Sequence, residues 1–139
     1  MGGDGFEDVL AANEEYARGF ALRGLTGRAA KGLAVLTCMD SRIEPLAMLG
    51  LEPGDAKILR NAGARVDDAV LAALALAADR LDVTRVMVVS HTDCAAVKTG
   101  REEILHGDVE RIRSFPQLAR IEAGGFVYDV GSGRLSRVC

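Results

Sequence analysis

Five side chains in this sequence could do chemistry together. Residues 33–42 read LAVLTCMDSR and deliver Cys38, Asp40 and Arg42, while residues 86–94 read VMVVSHTDC and deliver His91 and Cys94. Two thiolates and one imidazole make a set that zinc prefers, whereas magnesium and calcium take oxygen ligands. The His-x-x-Cys spacing puts both side chains on one turn after a strand, within reach of a single ion. Cys38, His91 and Cys94 supply three protein ligands, and a catalytic zinc site keeps its fourth position for water or substrate. The expected chemistry is activation of a water molecule on Zn2+.

Asp40 has two possible places in such a site. It could fill the fourth position itself, as a fourth ligand in a closed and inactive state. Alternatively it could pair with Arg42, two residues on, and leave that position to water. An Arg–carboxylate pair can be bidentate and charge-assisted, so it would hold Asp40 ionised as a hydrogen-bond acceptor. A purely structural zinc usually takes four Cys or His ligands. The remaining candidates for a fourth, Cys139 and His106, sit at the chain end and in a polar, Gly-flanked stretch, and are read as incidental.

Both clusters must be positioned by strands. Residues 32–37 and 85–90 are short apolar runs without alternation, the pattern of strands buried on both faces of a parallel sheet. In open α/β sheets ligands bind beyond the carboxyl ends of the strands, which is where both clusters fall. Apolar spacing over Phe6–Arg23 predicts an amphipathic helix, and Pro45 suits the first turn of a short helix over 44–49. Residues 56–60 read as a strand followed by an Asn-Ala-Gly loop. Asp67 and Asp68 open a helix running to about Leu81, apolar almost all round, which needs cover from the sheet and from a partner subunit. A helical segment is expected after Cys94 with interruptions near Gly100 and Gly107, then a helix over 108–114 ended by Pro116. Residues 121–130 and 134–138 read as strands around Gly131-Ser132-Gly133. The expected fold class is α/β: a single domain over 1–139, with a mainly parallel central sheet flanked by helices, a C-terminal hairpin and an N-terminal helical arm over 1–30.

Composition narrows the partners. Seventeen basic residues against twenty acidic ones give a net charge of −3 without a dense basic run, so no nucleic-acid footprint is visible. The apolar run 69–78 is too short to span a bilayer. The opening MGGDGFEDV lacks a secretory pattern, and Phe6 stands where a myristoylation motif wants Ser or Thr, so no membrane partner and a cytoplasmic location are expected. Three cysteines in such a chain point to metal or catalytic use over disulfides.

These residues resemble the β-class carbonic anhydrases, and within them a short prokaryotic branch. The matching motifs are Cys38-Met39-Asp40-Ser41-Arg42, Arg60-Asn61-Ala62-Gly63 and His91-Thr92-Asp93-Cys94, with weaker echoes at Asn13-x-x-Tyr16-Ala17 and 125–130. The resemblance implies zinc held by Cys38, His91 and Cys94, with Asp40 and Arg42 as the catalytic dyad that switches and orients. It implies reversible hydration of CO2 to bicarbonate by zinc-bound hydroxide. It also implies a homodimer or higher homo-oligomer in which the N-terminal helix wraps its neighbour. Because two thiolates cancel the metal's charge, activity is expected to rise toward alkaline pH. Two departures are visible: Ala95 stands where the family usually has glycine, and the stretch 96–108 is shorter than usual. The rival readings are a carbonyl sulfide or carbon disulfide hydrolase on the same zinc motif, a non-catalytic zinc-binding homologue, and a cysteine-nucleophile enzyme using Cys38 or Cys94 with His91.

Overall fold

The computed structural model describes residues 3–139. Met1 and Gly2, the first two residues of the stretch read for secretory and acylation signals, lie outside the described residues. The chain forms one α/β domain around a five-stranded sheet of order β2-β1-β3-β4-β5. The strands are β1 (Leu33–Cys38), β2 (Ala56–Asn61), β3 (Arg85–His91), β4 (Glu122–Tyr128) and β5 (Leu135–Arg137); the helices are α1 (Glu7–Arg18), α2 (Pro45–Met48), α3 (Asp68–Arg80) and α4 (Arg101–Ser114). Strands β2, β1, β3 and β4 run parallel, and β5 returns antiparallel along β4. Among the described residues, no helix is long and apolar enough to cross a membrane.

The uninterrupted apolar run of β1 makes sense in the centre of this sheet. All six of its residues are buried between β2 and β3, and Thr37, the polar one, donates its hydroxyl to the Val89 carbonyl at 3.0 Å. One face packs Ala34, Leu36, Val86 and Val88 against Leu71 and Leu74 of α3 and Leu105, Val109 and Ile112 of α4. The other face carries Leu33, Val35 and Val89 against Met48, Leu49 and Leu51 around α2. A Cβ at residue 125 would meet the Cys139 sulfur at 2.7 Å and Leu105 at 2.9 Å, so glycine there lets α4 seat closely on β4.

Local signals set the helix ends. Asp67 caps α3, its side chain accepting the Val70 N–H, and Phe115 turns extended before Pro116 to end α4. Two expectations are corrected. The first helix stops at Arg18 and not Arg23, because Gly19 is a poor helix former and no packing compensates: none of the α1 residues is buried. Nor does Gly107 interrupt α4, which runs straight through it. A single exposed glycine costs only about 1 kcal/mol in a helix, and burial of Leu105, Val109 and Ile112 outweighs that. The expected need of α3 for a second cover has a counterpart in its outer face, where Ala69, Ala72, Ala73 and Leu76 are exposed.

Candidate metal centre

Parallel pairing of β1 with β3 brings the two clusters together. Leu33 pairs with Arg85 and the register continues to Thr37 opposite Val89, so both strands deliver their carboxyl ends to one edge of the sheet. Cys38 is the last residue of β1 and His91 the last of β3, while Cys94 follows in the connection to α4. All three are buried, and their ligand atoms lie within 4.8 Å of one another.

The donor set fits zinc. His91 Nδ1 lies 2.7 Å from the Thr92 carbonyl, which fixes it as the protonated nitrogen and leaves Nε2 with a bare lone pair. That Nε2 is buried and has no hydrogen-bond partner, an arrangement that costs free energy unless something else takes the lone pair. The Cys38 and Cys94 sulfurs stand 4.0 Å apart, about twice a disulfide bond length of ~2.05 Å. Two sulfurs on one tetrahedral zinc, each ~2.3 Å from it, would stand roughly 3.8 Å apart. The chain therefore presents one imidazole nitrogen and two free thiols converging on a common point.

Asp40 is held away from that point by Arg42. The Arg42 backbone N–H and Nε donate to Asp40 Oδ1 at 2.8 and 3.0 Å, and its terminal nitrogen donates to Oδ2 at 2.7 Å. These side-chain and backbone hydrogen bonds hold the Asp40 carboxyl well below the usual carboxylate range, and the side-chain bonds to Asp40 and then to Asp93 raise the Arg42 guanidinium. Asp40 Oδ2 lies 3.8 Å from His91 Nε2, beside the ligand set and beyond hydrogen-bond distance of it. Of the two places open to Asp40, this is the paired one.

Several neighbours carry no signal in isolation and were assigned no role from sequence. Arg42 also donates to the Asp93 carboxylate at 3.1 Å and to its carbonyl at 3.0 Å, tying the β1 end to the His91–Cys94 turn. Asp93 takes a left-handed φ of 53°, which Asp tolerates better than most residues; Ala95 does not, so its Cβ meets no such penalty. Arg60 donates to the carbonyls of Cys38, Asp40 and Ile43, at 2.9, 2.8 and 3.2 Å, and so clamps the turn that carries the dyad. Gly63 donates its N–H to the Cys38 sulfur at 3.3 Å. The Arg-Asn-Ala-Gly motif at the end of β2 was the available signal for Arg60 and Gly63. Cys139 and His106 lie outside the cluster that could hold a metal ion.

Cys38 and Cys94 line a cleft of about 590 Å³ together with Met39, Asp40, Arg42, Ala62, Ala95 and Ala96. Small apolar side chains and one ionised acceptor suit a small, weakly polar substrate.

Residues 33–122 match the family model described as carbonic anhydrase. The chain is 33% identical over 159 aligned positions to β-carbonic anhydrase 1 of Mycobacterium bovis, covering 95% of this chain and 96% of that protein. That alignment is longer than the 139-residue chain, so the relative carries residues with no counterpart here. A carbon disulfide hydrolase of Saccharolobus solfataricus is 35% identical over 99 residues, covering 70% of this chain and 47% of that one. The crystal structure of carbonic anhydrase from Streptococcus mutans superposes with a TM-score of 0.91 at 31% identity and covers 100% of both chains. A buried Cys-His-Cys donor set on this sheet edge, full-length relatives and a shared fold lead to one conclusion: the chain belongs to the β-carbonic anhydrase family.

Proposed function

We propose that this protein is a zinc-dependent lyase that interconverts CO2 and bicarbonate, with Cys38, His91 and Cys94 holding the metal. The observation that carries this reading is the buried, unpartnered His91 Nε2 facing two free thiols beside an ionised Asp40. When bound, zinc supplies a Lewis acid that makes water a nucleophile near neutral pH.

The chain's own residues do the rest. The Thr92 carbonyl fixes the His91 ring and its tautomer. Asp40, acceptor-only while paired with Arg42, takes a hydrogen bond from the attacking water and aims its lone pair at the substrate carbon. Arg42 keeps that carboxylate from turning inward, since leaving the pair would forfeit three hydrogen bonds. Ala62, Ala95 and Ala96 offer CO2 a wall without competing polar groups. The proton released in hydration leaves through the open cleft to solvent or buffer.

A second reading is hydrolysis of carbon disulfide or carbonyl sulfide, favoured by the similarity to the carbon disulfide hydrolase. Stopped-flow CO2 hydration with metal analysis, run beside carbon disulfide and carbonyl sulfide assays, decides between them. CO2 turnover that depends on zinc is the expected result; turnover of the sulfur substrates alone would overturn it.

We also propose a homodimer or larger assembly in the cytoplasm, with residues 1–30 as a contacting arm. The exposed Phe6 at the N-cap of α1, with Val9, Leu10 and Tyr16 on it, supports the assembly, because an isolated helix of twelve residues is marginal in water. Three free thiols support a reducing compartment.

A further inference from the structure

We propose that Asp108 and Arg65 are positioning residues for the metal centre, acting through the loop 61–66 to hold the Gly63 amide against the Cys38 sulfur. The inference rests on Cys38 being a zinc ligand. It goes further by giving a task to an ion pair outside the site.

A backbone amide can be aimed only by its backbone, and this backbone is awkward. Gly63 has φ +88° and the next residue, Ala64, has φ +56°, a left-handed conformation that a Cβ disfavours. Something must keep the loop so. Asn61 bridges it: its Oδ1 accepts the Arg65 N–H at 2.8 Å and its Nδ2 donates to the Arg65 carbonyl at 2.7 Å. The Arg65 side chain then reaches α4, donating from Nε to Asp108 Oδ2 at 2.8 Å. The same oxygen accepts the Val66 N–H at 3.0 Å, and Arg111, from the next turn of α4, donates to the Val66 carbonyl. One carboxylate, only 4% exposed, thus fixes the exit of the loop whose middle touches Cys38.

The loop is also wedged against the other ligand segment. A Cβ at Gly63 would meet Val97 at 2.9 Å and Ala96 at 3.4 Å, so any shift presses on the residues that follow Cys94. Donation of an N–H to a ligating sulfur stabilises its negative charge, and loss of such outer partners typically costs about 10- to 100-fold in metal affinity. Removing one partner of a buried ion pair also destabilises the fold, so the test must read the metal separately from stability.

The test is a zinc competition titration against a chromophoric chelator, together with the sulfur-to-metal charge-transfer band of the Co2+-substituted protein. Asp108→Asn is expected to lose about 10- to 100-fold in zinc affinity and to shift the cobalt band. Arg65→Lys, which keeps one contact to Asp108 from a half-exposed position, is expected to fall between Asp108→Asn and the wild type. Leu118→Ala, buried and away from the loop, serves as a control that lowers Tm while leaving both readouts unmoved. Wild-type affinity and an unshifted band in Asp108→Asn would overturn the inference, as would an equal change in the control. If the wild-type protein fails to bind zinc, the zinc reading falls and takes this one with it. Tight binding by the wild type and both variants sinks this inference alone.

Discussion

Strand β1 and helix α1 both carry large apolar side chains, yet every residue of β1 is buried and every residue of α1 is exposed. The difference separates two requirements. The donor set is complete within one chain, held by strands that tertiary packing fixes on all sides. Among the described residues the arm buries none of Phe6, Val9, Leu10 or Tyr16, whose one aromatic contact is Tyr16 edge-on to Phe20, and the proposed assembly would supply the missing cover. Chemistry and assembly should therefore respond to different substitutions.

The largest effect is expected from Cys38→Ala, which should abolish both zinc binding and CO2 hydration while circular dichroism keeps the fold; a variant that retained activity would end the proposed ligand set. Next, Asp40→Asn should keep full zinc content by metal analysis and lose about 10²- to 10³-fold in kcat, the range seen when one placed catalytic partner is removed. Zinc loss in that variant would instead make Asp40 a ligand. Within the core, Leu36→Ala, at a fully buried position, should cost about 2–5 kcal/mol in chemical denaturation. Leu10→Ala should leave zinc content untouched and weaken self-association by about tenfold or more, read by sedimentation at several concentrations. An unchanged assembly would break the comparison, because the arm would then have no partner to lose.

The smallest effect concerns pH. The Asp40 carboxyl is depressed, so its pairing contributes above the ordinary carboxylate range and is lost only as pH falls through the lower, folded value. Above about pH 5 Asp40 is ionised throughout, and a rise of activity toward alkaline pH cannot be its titration. In Asp40→Asn the rising limb should persist at reduced height. A limb that vanished with the carboxylate would assign the titration to Asp40.

Much of the site's frame was legible because its signals are local. Unbroken apolar runs located β1 and β3 to within one residue, and their abrupt polar ends marked the sheet edge where Cys38, His91 and Cys94 meet. What escaped depends on distant partners. Phe20 prolongs the apolar periodicity past Gly19, yet it stays half exposed with only an edge contact to Tyr16, too little to carry the helix on. Gly107 looked like a break because its cost is local, while the compensating burial of Leu105 and Val109 is tertiary. Asp108 reads as one more acid on a helix until Arg65, from the other side of β3 in sequence, is found 2.8 Å away. The Arg-Asn-Ala-Gly motif marks Gly63, but not that its amide donates to the Cys38 sulfur, since backbone donors leave no trace in composition.

The side-by-side placement of β1 and β3 has a thermodynamic consequence. The donors come from residues 38 and 91–94, so no local segment holds the full set, and the site exists only once a long-range parallel pairing has formed. An ion that binds only the folded chain then adds to its stability as RT ln(1 + [L]/Kd), about 2.7 kcal/mol at a free concentration one hundred times Kd. Free zinc thereby becomes a variable of folding as well as of catalysis, and a chelator should lower the melting temperature of a protein whose hydrophobic core it never touches.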